Sequence, residues 1–363
     1  MPTVLDWNPT VDPSEVMGPL RDALAAGELV VLPGDVGYVV LVNPAAAATP
    51  ERLGRLPADG PPAVLAFGPD DPALFGLGVP LAARRLMFRA WPAPLAVALP
   101  AAGASFPADW PGAVREAVAA GGAVRFRYPD HPLFDAVWPS LPGPTLVLDT
   151  FHPTATAAVD ALGGAAGLVI AAGEIPAGDR PTEVLATPAG WELTRPGAYA
   201  ADELHKLAAR IILFVCTGNT CRSPLAEGLA KTLLADRLGC AVGDLPARGF
   251  WVVSAGVAAY GGGPVSPESE LVGAEFGADL RDHRSRPVNP PLLAAADDVI
   301  AMTRAHADVL EARYPGVGPP ARLLCGDDTD LDDPIGAGMD VYRECARTIL
   351  DRLQRFLPEW VGP

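Results

Sequence analysis

The chain is poor in lysine and carries an excess of acidic residues. Of 27 basic residues only Lys206 and Lys231 are lysines, so residues 1–205 contain no ammonium side chain. The 43 acidic residues give a formal net charge of −16. Nucleic acid is bound mainly through clustered Lys and Arg, and this balance argues against nucleic acid as a partner.

Long hydrophobic runs are also missing. The longest candidate, residues 29–42, is interrupted by Pro33, Gly34 and Asp35. No segment approaches the ~20 apolar residues that a membrane-spanning helix needs. The N-terminal residues Met-Pro-Thr-Val-Leu-Asp lack the basic and apolar regions of a signal peptide. These absences predict a cytoplasmic protein without a membrane partner.

Cysteine is absent from the first 215 residues. The five cysteines are Cys216, Cys221, Cys240, Cys325 and Cys345. An odd and uneven set does not make a disulfide framework and suits a reducing compartment. Cys216 and Cys221 lack the second pair of ligands that a zinc site needs. The sequence therefore predicts no metal and no other cofactor.

The length of 363 residues is enough for two domains with separate cores. We predict an N-terminal domain at residues 1–205 and a C-terminal domain at residues 210–363. The stretch between residues 202 and 210 is interpreted as a short polar helix or a linker.

The C-terminal domain alternates strand and helix signals. The predicted strands are residues 211–215, 250–253, 298–302 and 322–324, and the predicted helices are residues 224–238, 267–276, 304–314 and 340–357. Such alternation predicts an α/β fold with a doubly wound parallel sheet of four strands.

The most informative segment is residues 211–224, with the sequence IILFVCTGNTCRSP. An apolar strand ends at Cys216, and a Gly-Asn turn leads to Arg222. An Ala/Leu-rich helix follows, with Ser223 as candidate N-cap and Pro224 in the first turn. A strand–loop–helix of this kind directs backbone N–H groups and a helix N-terminus at one point. With a thiol at its floor and a guanidinium at its rim, it favours a phosphatase that works through a phosphocysteine.

The whole segment resembles the signature loop of low-molecular-weight protein tyrosine phosphatases. Three further stretches occur in that family's order: Ser254-Ala255-Gly256, His283-Arg284-Ser285-Arg286 and Asp333-Pro334. The resemblance implies the four-stranded fold and three catalytic roles. Cys216 would be the nucleophile, Arg222 would hold the phosphate, and Asp333 would act as general acid and then as base. Ser223 can donate its hydroxyl to the Cys216 thiolate, and this role is compatible with that of helix cap.

The resemblance also implies the remaining site residues. The phosphate-binding loop would consist of Thr217, Gly218, Asn219, Thr220, Cys221, Arg222 and Ser223. Ser254 and His283 would support Asn219, for which we expect a positive φ. Asp327, Asp328, Asp330 and Asp332 are interpreted as a solvated acidic turn.

Two interpretations of Cys221 remain open. In the resembling family, a cysteine at this place can form a reversible disulfide with the nucleophile. Alternatively, Cys221 is a small buried thiol.

The expected substrate is a phosphorylated protein. Thr220 stands where phosphotyrosine-directed members usually have a branched apolar residue, and threonine is typical of the protein arginine phosphatase branch. Ile335 and Gly336 replace the paired tyrosines of phosphotyrosine-directed enzymes. Tyr260 and the absence of an aromatic residue at Ile335 argue the other way. We therefore predict hydrolysis of phosphoarginine, with phosphotyrosine as the alternative.

The N-terminal domain resembles the YrdC-like threonylcarbamoyl-AMP synthase family. The resemblance is carried by four stretches: residues 27–38 (GELVVLPGDVGY), 91–95 (WPAPL), 124–132 (VRFRYPDHP) and 195–198 (RPGA). It implies an α+β fold with an open, twisted sheet.

The residues that the synthase reaction needs are missing. The family's Lys-x-Arg segment is Leu53-Gly54-Arg55 here, and its Pro-Thr-Asp threonine is Gly34. No Ser-x-Asn segment is evident at residues 149–152. We therefore predict a domain without synthase activity that serves as a binding or interaction module, and residual nucleotide binding remains open. Two alternatives for the whole chain are a synthase acting in tRNA modification with an accessory phosphatase domain, and an interaction protein with both sites inactive.

Overall fold

The structure is a computed structural model that describes all residues except 1, 9, 11, 13, 57–59, 177, 327, 328 and 363. The chain divides into two compact units, Met1–Ala208 and Ala209–Pro363, called here the N-terminal and C-terminal units. None of the helices in the described ranges is long and apolar enough to cross a membrane.

The N-terminal unit is built on one mixed sheet. Its strands are β1 (Thr3–Asp6), β2 (Leu29–Pro33), β3 (Tyr38–Val42), β4 (Ala63–Leu65), β5 (Leu95–Pro100), β6 (Ala123–Arg127), β7 (Leu146–Asp149), β8 (Ala166–Ala171), β9 (Thr182–Thr187) and β10 (Gly190–Arg195). Their order across the sheet is β1-β8-β2-β3-β7-β4-β6-β5-β9-β10. The sequence predicts strands near residues 28–33, 63–67, 95–99, 123–127, 145–148 and 168–170, which correspond to β2, β4, β5, β6, β7 and β8. Strands β1, β3, β9 and β10 were not predicted. In β10 the side chains are exposed or half-buried, which removes the apolar alternation that marks a strand.

Helices cover this sheet. They are α1 (Ser14–Ala25), α2 (Thr49–Leu53), α3 (Leu81–Ala90), α4 (Gly112–Val118), α5 (Pro132–Val137), α6 (Ala155–Ala161) and α7 (Ala201–Ala208), and short 3-10 helices lie at Asp71–Phe75, Ala120–Gly122 and Trp138–Ser140. Along β2, Leu29 and Val31 pack into one apolar core, and Val30 and Leu32 pack into another. Successive strand residues point to opposite faces, so the sheet separates two cores.

The C-terminal unit contains a parallel sheet of four strands, as predicted. The strands are β11 (Arg210–Cys216), β12 (Phe250–Gly256), β13 (Asp298–Ala301) and β14 (Arg322–Leu323), in the order β12-β11-β13-β14. The helices are α8 (Arg222–Leu238), α9 (Pro267–Glu275), α10 (Pro290–Ala295), α11 (Arg304–Arg313) and α12 (Met339–Val361), with 3-10 helices at Val242–Asp244 and Pro246–Arg248.

The central strand β11 is buried on both faces. Ile212 and Phe214 pack into the larger apolar core, whereas Leu213 and Val215 pack into the smaller one on the opposite face. Both neighbours of β11 run parallel to it. The carboxyl ends of these strands therefore meet at one edge, and Cys216 ends β11 at that edge.

Candidate active site

The loop from Cys216 to Arg222 closes around the sulfur of Cys216. The backbone N–H of Asn219 donates to Cys216 Sγ at 3.3 Å, and Ser223 Oγ lies 3.0 Å from the same sulfur. Asn219 has a φ of 55°, which confirms the predicted positive φ. The left-handed conformation turns the chain sharply and brings the Asn219 N–H back over the thiol. Both contacts suit a thiolate, since a thiolate accepts hydrogen bonds.

Ser223 is not the helix N-cap, and that prediction was wrong. Helix α8 begins at Arg222, and Cys221 takes the N-cap position without a side-chain hydrogen bond. The Ser223 hydroxyl is engaged elsewhere, because it contacts Cys216 Sγ and accepts from Asn219 Nδ2 at 3.0 Å. Its place in the first turn of α8 directs the hydroxyl at the nucleophile.

The side chain of Asn219 is completely buried and ties the loop together. Its Nδ2 also donates to Ser254 Oγ at 2.8 Å, and its Oδ1 accepts from the Arg286 backbone N–H at 2.9 Å. His283 Nε2–H donates to the Asn219 carbonyl oxygen at 2.9 Å. Burial lowers the pKa of His283 below its ordinary value. The hydrogen bond to the Asn219 carbonyl and the charge of Glu227 act in the opposite direction. Ser254 and His283 thus contact Asn219, as the sequence implied.

A buried glutamate continues this network and was missed in the sequence analysis. Ser254 Oγ donates to Glu227 Oε2 at 2.6 Å, and Lys231 pairs with the other oxygen of Glu227. The sequence contained only a weak indication that Glu227 belongs to the site. Glu227 and Lys231 form one i,i+4 pair on α8, and such pairs usually lie on a solvated helix face.

A glycine lies directly beneath the loop. A Cβ at Gly256 would lie 2.4 Å from the Thr217 carbonyl oxygen and 2.9 Å from the Asn219 nitrogen. The strand that carries Gly256 also binds the loop, since the N–H of Val257 donates to the Cys216 carbonyl at 2.9 Å. Only a residue without a side chain lets β12 approach this closely.

Arg222 and Asp333 are in direct contact. Arg222 is 5% exposed; its Nη1 donates to the Leu331 carbonyl at 3.0 Å, and its Nη2 pairs with Asp333 Oδ2. The other carboxylate oxygen of Asp333 accepts from the Ile335 N–H at 3.2 Å. The Asp333 side chain remains 40% exposed. The structure therefore brings together the nucleophile loop, a guanidinium and a half-exposed carboxyl group.

A second histidine, His306, lies at this edge of the sheet and was also missed. It is buried, its Nε2 lies 2.8 Å from Thr217 Oγ1, and its Nδ1 lies 2.8 Å from Thr303 Oγ1. Burial, and next the charge of Arg222, lower the pKa of His306 to about 4. The signal in the sequence was its position three residues after Thr303, which follows a strand adjacent to β11.

The other predicted loop residues vary in exposure. Thr217 is exposed, Gly218 and Thr220 are half-buried, and Cys221 is buried. The Thr220 carbonyl accepts from the Ser266 N–H at 2.8 Å. Cys221 Sγ lies 3.4 Å from Ser266 Oγ and 3.7 Å from the hydroxyl of Tyr342.

The two residues that bear on substrate choice besides Thr220 are exposed. Tyr260 is 91% exposed and Ile335 is 68% exposed. Of the predicted acidic turn, Asp330 and Asp332 are exposed, and Asp330 accepts from the Arg304 N–H at 2.7 Å. Asp327 and Asp328 lie outside the described residues.

Comparison with known proteins places this site in a family. Residues 211–361 match the family described as "Low molecular weight phosphotyrosine protein phosphatase". The chain is 36% identical over 149 residues to a protein-arginine-phosphatase of Geobacillus stearothermophilus. The alignment covers 39% of this chain and 92% of that protein. The protein-arginine-phosphatase of Bacillus subtilis is 36% identical over 151 residues, covering 40% of this chain and 93% of the relative.

A relative with another named substrate is similarly close. The probable low molecular weight protein-tyrosine-phosphatase EpsP of Ralstonia solanacearum is 32% identical over 153 residues, which is 42% of this chain and 94% of the relative. All three relatives align over nearly their whole length with the C-terminal unit. Through residues 211–361, the chain belongs to the low molecular weight phosphotyrosine protein phosphatase family.

Proposed function

We propose that the C-terminal unit is a cysteine-dependent protein phosphatase. The observation that carries the proposal is the pair of contacts on Cys216 Sγ, from the Asn219 N–H at 3.3 Å and the Ser223 hydroxyl at 3.0 Å. A sulfur held in this way at a helix N-terminus is suited to act as a nucleophile. The residues that surround it supply the other groups that phosphoryl transfer requires.

The proposed reaction has two steps. The thiolate of Cys216 attacks phosphorus, and the bond between phosphorus and the leaving nitrogen or oxygen breaks as Asp333 gives its proton to the leaving atom. Water then attacks the phosphocysteine, passes a proton to the Asp333 carboxylate and displaces the thiolate, which releases inorganic phosphate. Arg222 and the N–H groups of residues 217–223 hold the phosphoryl oxygens in both steps.

We propose protein phosphoarginine as the substrate, with phosphotyrosine as the second candidate. Thr220 supports this choice, since its hydroxyl can hydrogen-bond a polar leaving group beside the phosphate. The two arginine phosphatases among the relatives share 36% identity with this chain, against 32% for the tyrosine phosphatase, which gives modest further support. The exposed Tyr260 is the feature that favours phosphotyrosine.

One assay tests the proposed function. Purified protein is offered a phosphoarginine protein, a phosphotyrosine peptide and an aryl phosphate, each with EDTA present. We expect turnover that Cys216→Ser abolishes, because an alcohol is not ionised at neutral pH. Cys240→Ser is the matched control, since Cys240 is half-exposed and lies outside the loop. Turnover in Cys216→Ser, or its loss on chelation, would refute a phosphocysteine mechanism.

The substrate choice has its own test. Thr220→Ile should shift the ratio of phosphoarginine to phosphotyrosine turnover toward tyrosine by about 10- to 100-fold, the range for one lost polar contact. Thr232→Val is the control for removing a hydroxyl elsewhere in the unit. If the wild type prefers phosphotyrosine and Thr220→Ile leaves the ratio unchanged, phosphotyrosine replaces phosphoarginine in this proposal.

We also propose that the N-terminal unit is a YrdC-like domain, residues 1–205, without synthase activity. Its sheet carries a cleft with three arginines in its lining, Arg125, Arg127 and Arg195. Arg127 is 1% exposed, and its guanidinium is shared between Asp35 at 2.7 Å and Asp149 at 3.1 Å. Burial opposes the charge on Arg127, but the two carboxylates outweigh it and raise its pKa above the ordinary value.

The other arginines of this cleft are paired in the same way. Arg125 and Arg195 both contact Glu183, at 3.2 Å and 3.5 Å. Arg55, at the position of the family's Lys-x-Arg segment, pairs at the surface with Glu51. Guanidinium groups already neutralised by carboxylates bind a triphosphate weakly, which supports loss of the synthase reaction.

Pyrophosphate release from ATP, threonine and bicarbonate tests this part of the proposal. We expect no release above a control without enzyme. Threonine-dependent release would instead favour the synthase alternative, which the phosphatase relatives do not support. Binding of ATP without turnover is compatible with the proposal, because Arg195 keeps a 34% exposed side chain.

We place the reaction in the cytoplasm. All five cysteines are free thiols, which is the state that a reducing compartment maintains. A nucleophilic cysteine in particular has to stay reduced to work.

A further inference from the structure

His306 connects the first residue of the phosphate loop to the start of α11. Its ring is 5% exposed and makes a hydrogen bond at each nitrogen. On one side is Thr217, which directly follows the nucleophile. On the other is Thr303, the N-cap of α11. The phosphatase mechanism given above uses neither the ring nor these two hydroxyl groups.

The contacts of Thr303 favour a proton on Nε2 of the His306 ring. Thr303 Oγ1 already accepts from the backbone N–H of His306 at 3.3 Å. Thr303 Oγ1 also lies 2.8 Å from Nδ1 of the same residue, and we assign the Thr303 hydroxyl as the donor of this hydrogen bond. A neutral imidazole that accepts at Nδ1 carries its proton at Nε2. Nε2–H therefore donates to Thr217 Oγ1.

The ring is neutral where the enzyme would work. Burial and the nearby guanidinium of Arg222 lower the pKa of His306 to about 4, against the opposite effect of Asp333 and Asp330. A protonated ring would carry N–H groups on both sides and would repel Arg222. At neutral pH the ring therefore carries a single N–H.

We propose that His306 is a positioning residue that orients the Thr217 hydroxyl toward the phosphoryl group. This proposal rests on the phosphatase function proposed above. Because Nε2–H occupies one lone pair of Thr217 Oγ1, the hydroxyl proton points away from the ring. The Thr217 side chain is exposed at the loop, so its proton can donate to an oxygen of the bound phosphoryl group. A donor held in place before the reaction costs little reorganisation during it.

Two replacements of His306 separate positioning from packing. In His306→Gln the side-chain amide reaches the place of Nε2 and can still donate to Thr217. In His306→Asn the amide reaches only the place of Nδ1, so the contact with Thr303 is retained and the contact with Thr217 is lost. Both variants are polar and smaller than histidine, and asparagine is one methylene smaller than glutamine. The double variant with Thr217→Val separates that difference in packing from loss of the hydrogen bond to Thr217. Thr217→Val, alone and combined with His306→Asn, completes the set.

The measurements are kcat and KM for an aryl phosphate, the inhibition constant of vanadate, and Tm, all on the full chain. We expect His306→Asn and Thr217→Val each to lower kcat/KM about tenfold and to weaken vanadate by a similar factor. His306→Gln should recover most of the loss in kcat/KM. The double variant should lose less than about twofold beyond Thr217→Val, because both changes remove one interaction.

Other results would overturn the inference. The first is multiplication of the two losses, to about 100-fold in the double variant. The second is equal activity of His306→Gln and His306→Asn, whether both are impaired or both resemble the wild type. A wild type without phosphatase activity would instead refute the proposed function, so the two failures are distinguishable.

Discussion

At the scale of single residues, the site depends on backbone space as much as on reactive groups. Asn219 adopts a left-handed conformation to bring its N–H to the sulfur, and Gly256 leaves room for the loop to lie against β12. Gly256 takes no part in the chemistry, and Asn219 contributes only its backbone N–H. Each determines where the atoms that do take part are placed.

The close approach of the loop to Gly256 predicts that a side chain at this position impairs the enzyme. In Gly256→Ala the new methyl group would lie 2.4 Å from the Thr217 carbonyl oxygen, so the loop has to move. We expect kcat/KM to fall at least tenfold and the free energy of unfolding to drop by about 1–3 kcal/mol. Gly243→Ala is the matched control, because nothing lies within 4 Å of a Cβ there. Normal activity in Gly256→Ala would show that the loop tolerates displacement.

The sequence identified the residues whose chemistry is distinctive. Cys216 and Arg222 were predicted from the strand–loop–helix pattern and Asp333 from the family resemblance. The positive φ of Asn219 was predicted because asparagine tolerates the left-handed region. Glu227 and His306 were not predicted, because Glu227 contacts Ser254 from α8 and His306 contacts Thr217 from α11. Their contacts depend on how the helices pack, and residue spacing along the chain does not encode that.

At the scale of elements, the strands were easier to predict in the C-terminal unit than in the N-terminal one. Strand β11 is an uninterrupted apolar run buried on both faces, which gives a strong signal. Strand β10 has no buried side chain, and its sequence resembles a loop. The start of α8 was misplaced because Ser223 was read as a cap by its residue type, although its hydroxyl belongs to the site.

The link between α11 and the loop predicts a dependence of stability on pH. The pKa of His306 is about 4 in the fold, against an ordinary value of 6.5, so the unfolded chain binds a proton first as the pH falls. His306 should therefore lower the free energy of unfolding between about pH 6.5 and pH 4, by up to about 3 kcal/mol.

Urea unfolding of the wild type and His306→Gln at pH 7 and pH 5 measures this effect. The wild type should lose more free energy of unfolding than the variant over this interval, since glutamine does not titrate. Identical losses in the two proteins would mean that the ring is not buried in its neutral form.

At the scale of the whole molecule, the chain consists of two units, each with its own sheet and apolar cores. All groups assigned to the phosphatase reaction lie within Ala209–Pro363. We therefore predict that a fragment of residues 209–363 folds and keeps kcat/KM for an aryl phosphate within about threefold of the full chain. A soluble but inactive fragment would indicate that residues before 209 contribute to the site.

The ion pair between Arg222 and Asp333 affects the release of inorganic phosphate. The Asp333 carboxylate accepts from Arg222 Nη2, which a bound phosphate ion would also need as a donor. Asp333 therefore competes with the product for Arg222. Asp333→Asn should slow hydrolysis of substrates with poor leaving groups and yet make inorganic phosphate a several-fold stronger inhibitor. Phosphate inhibition constants of the two proteins would measure this; weaker inhibition of the variant would contradict it. The Asp333 side chain would then both accelerate bond cleavage and limit inhibition of the enzyme by its product.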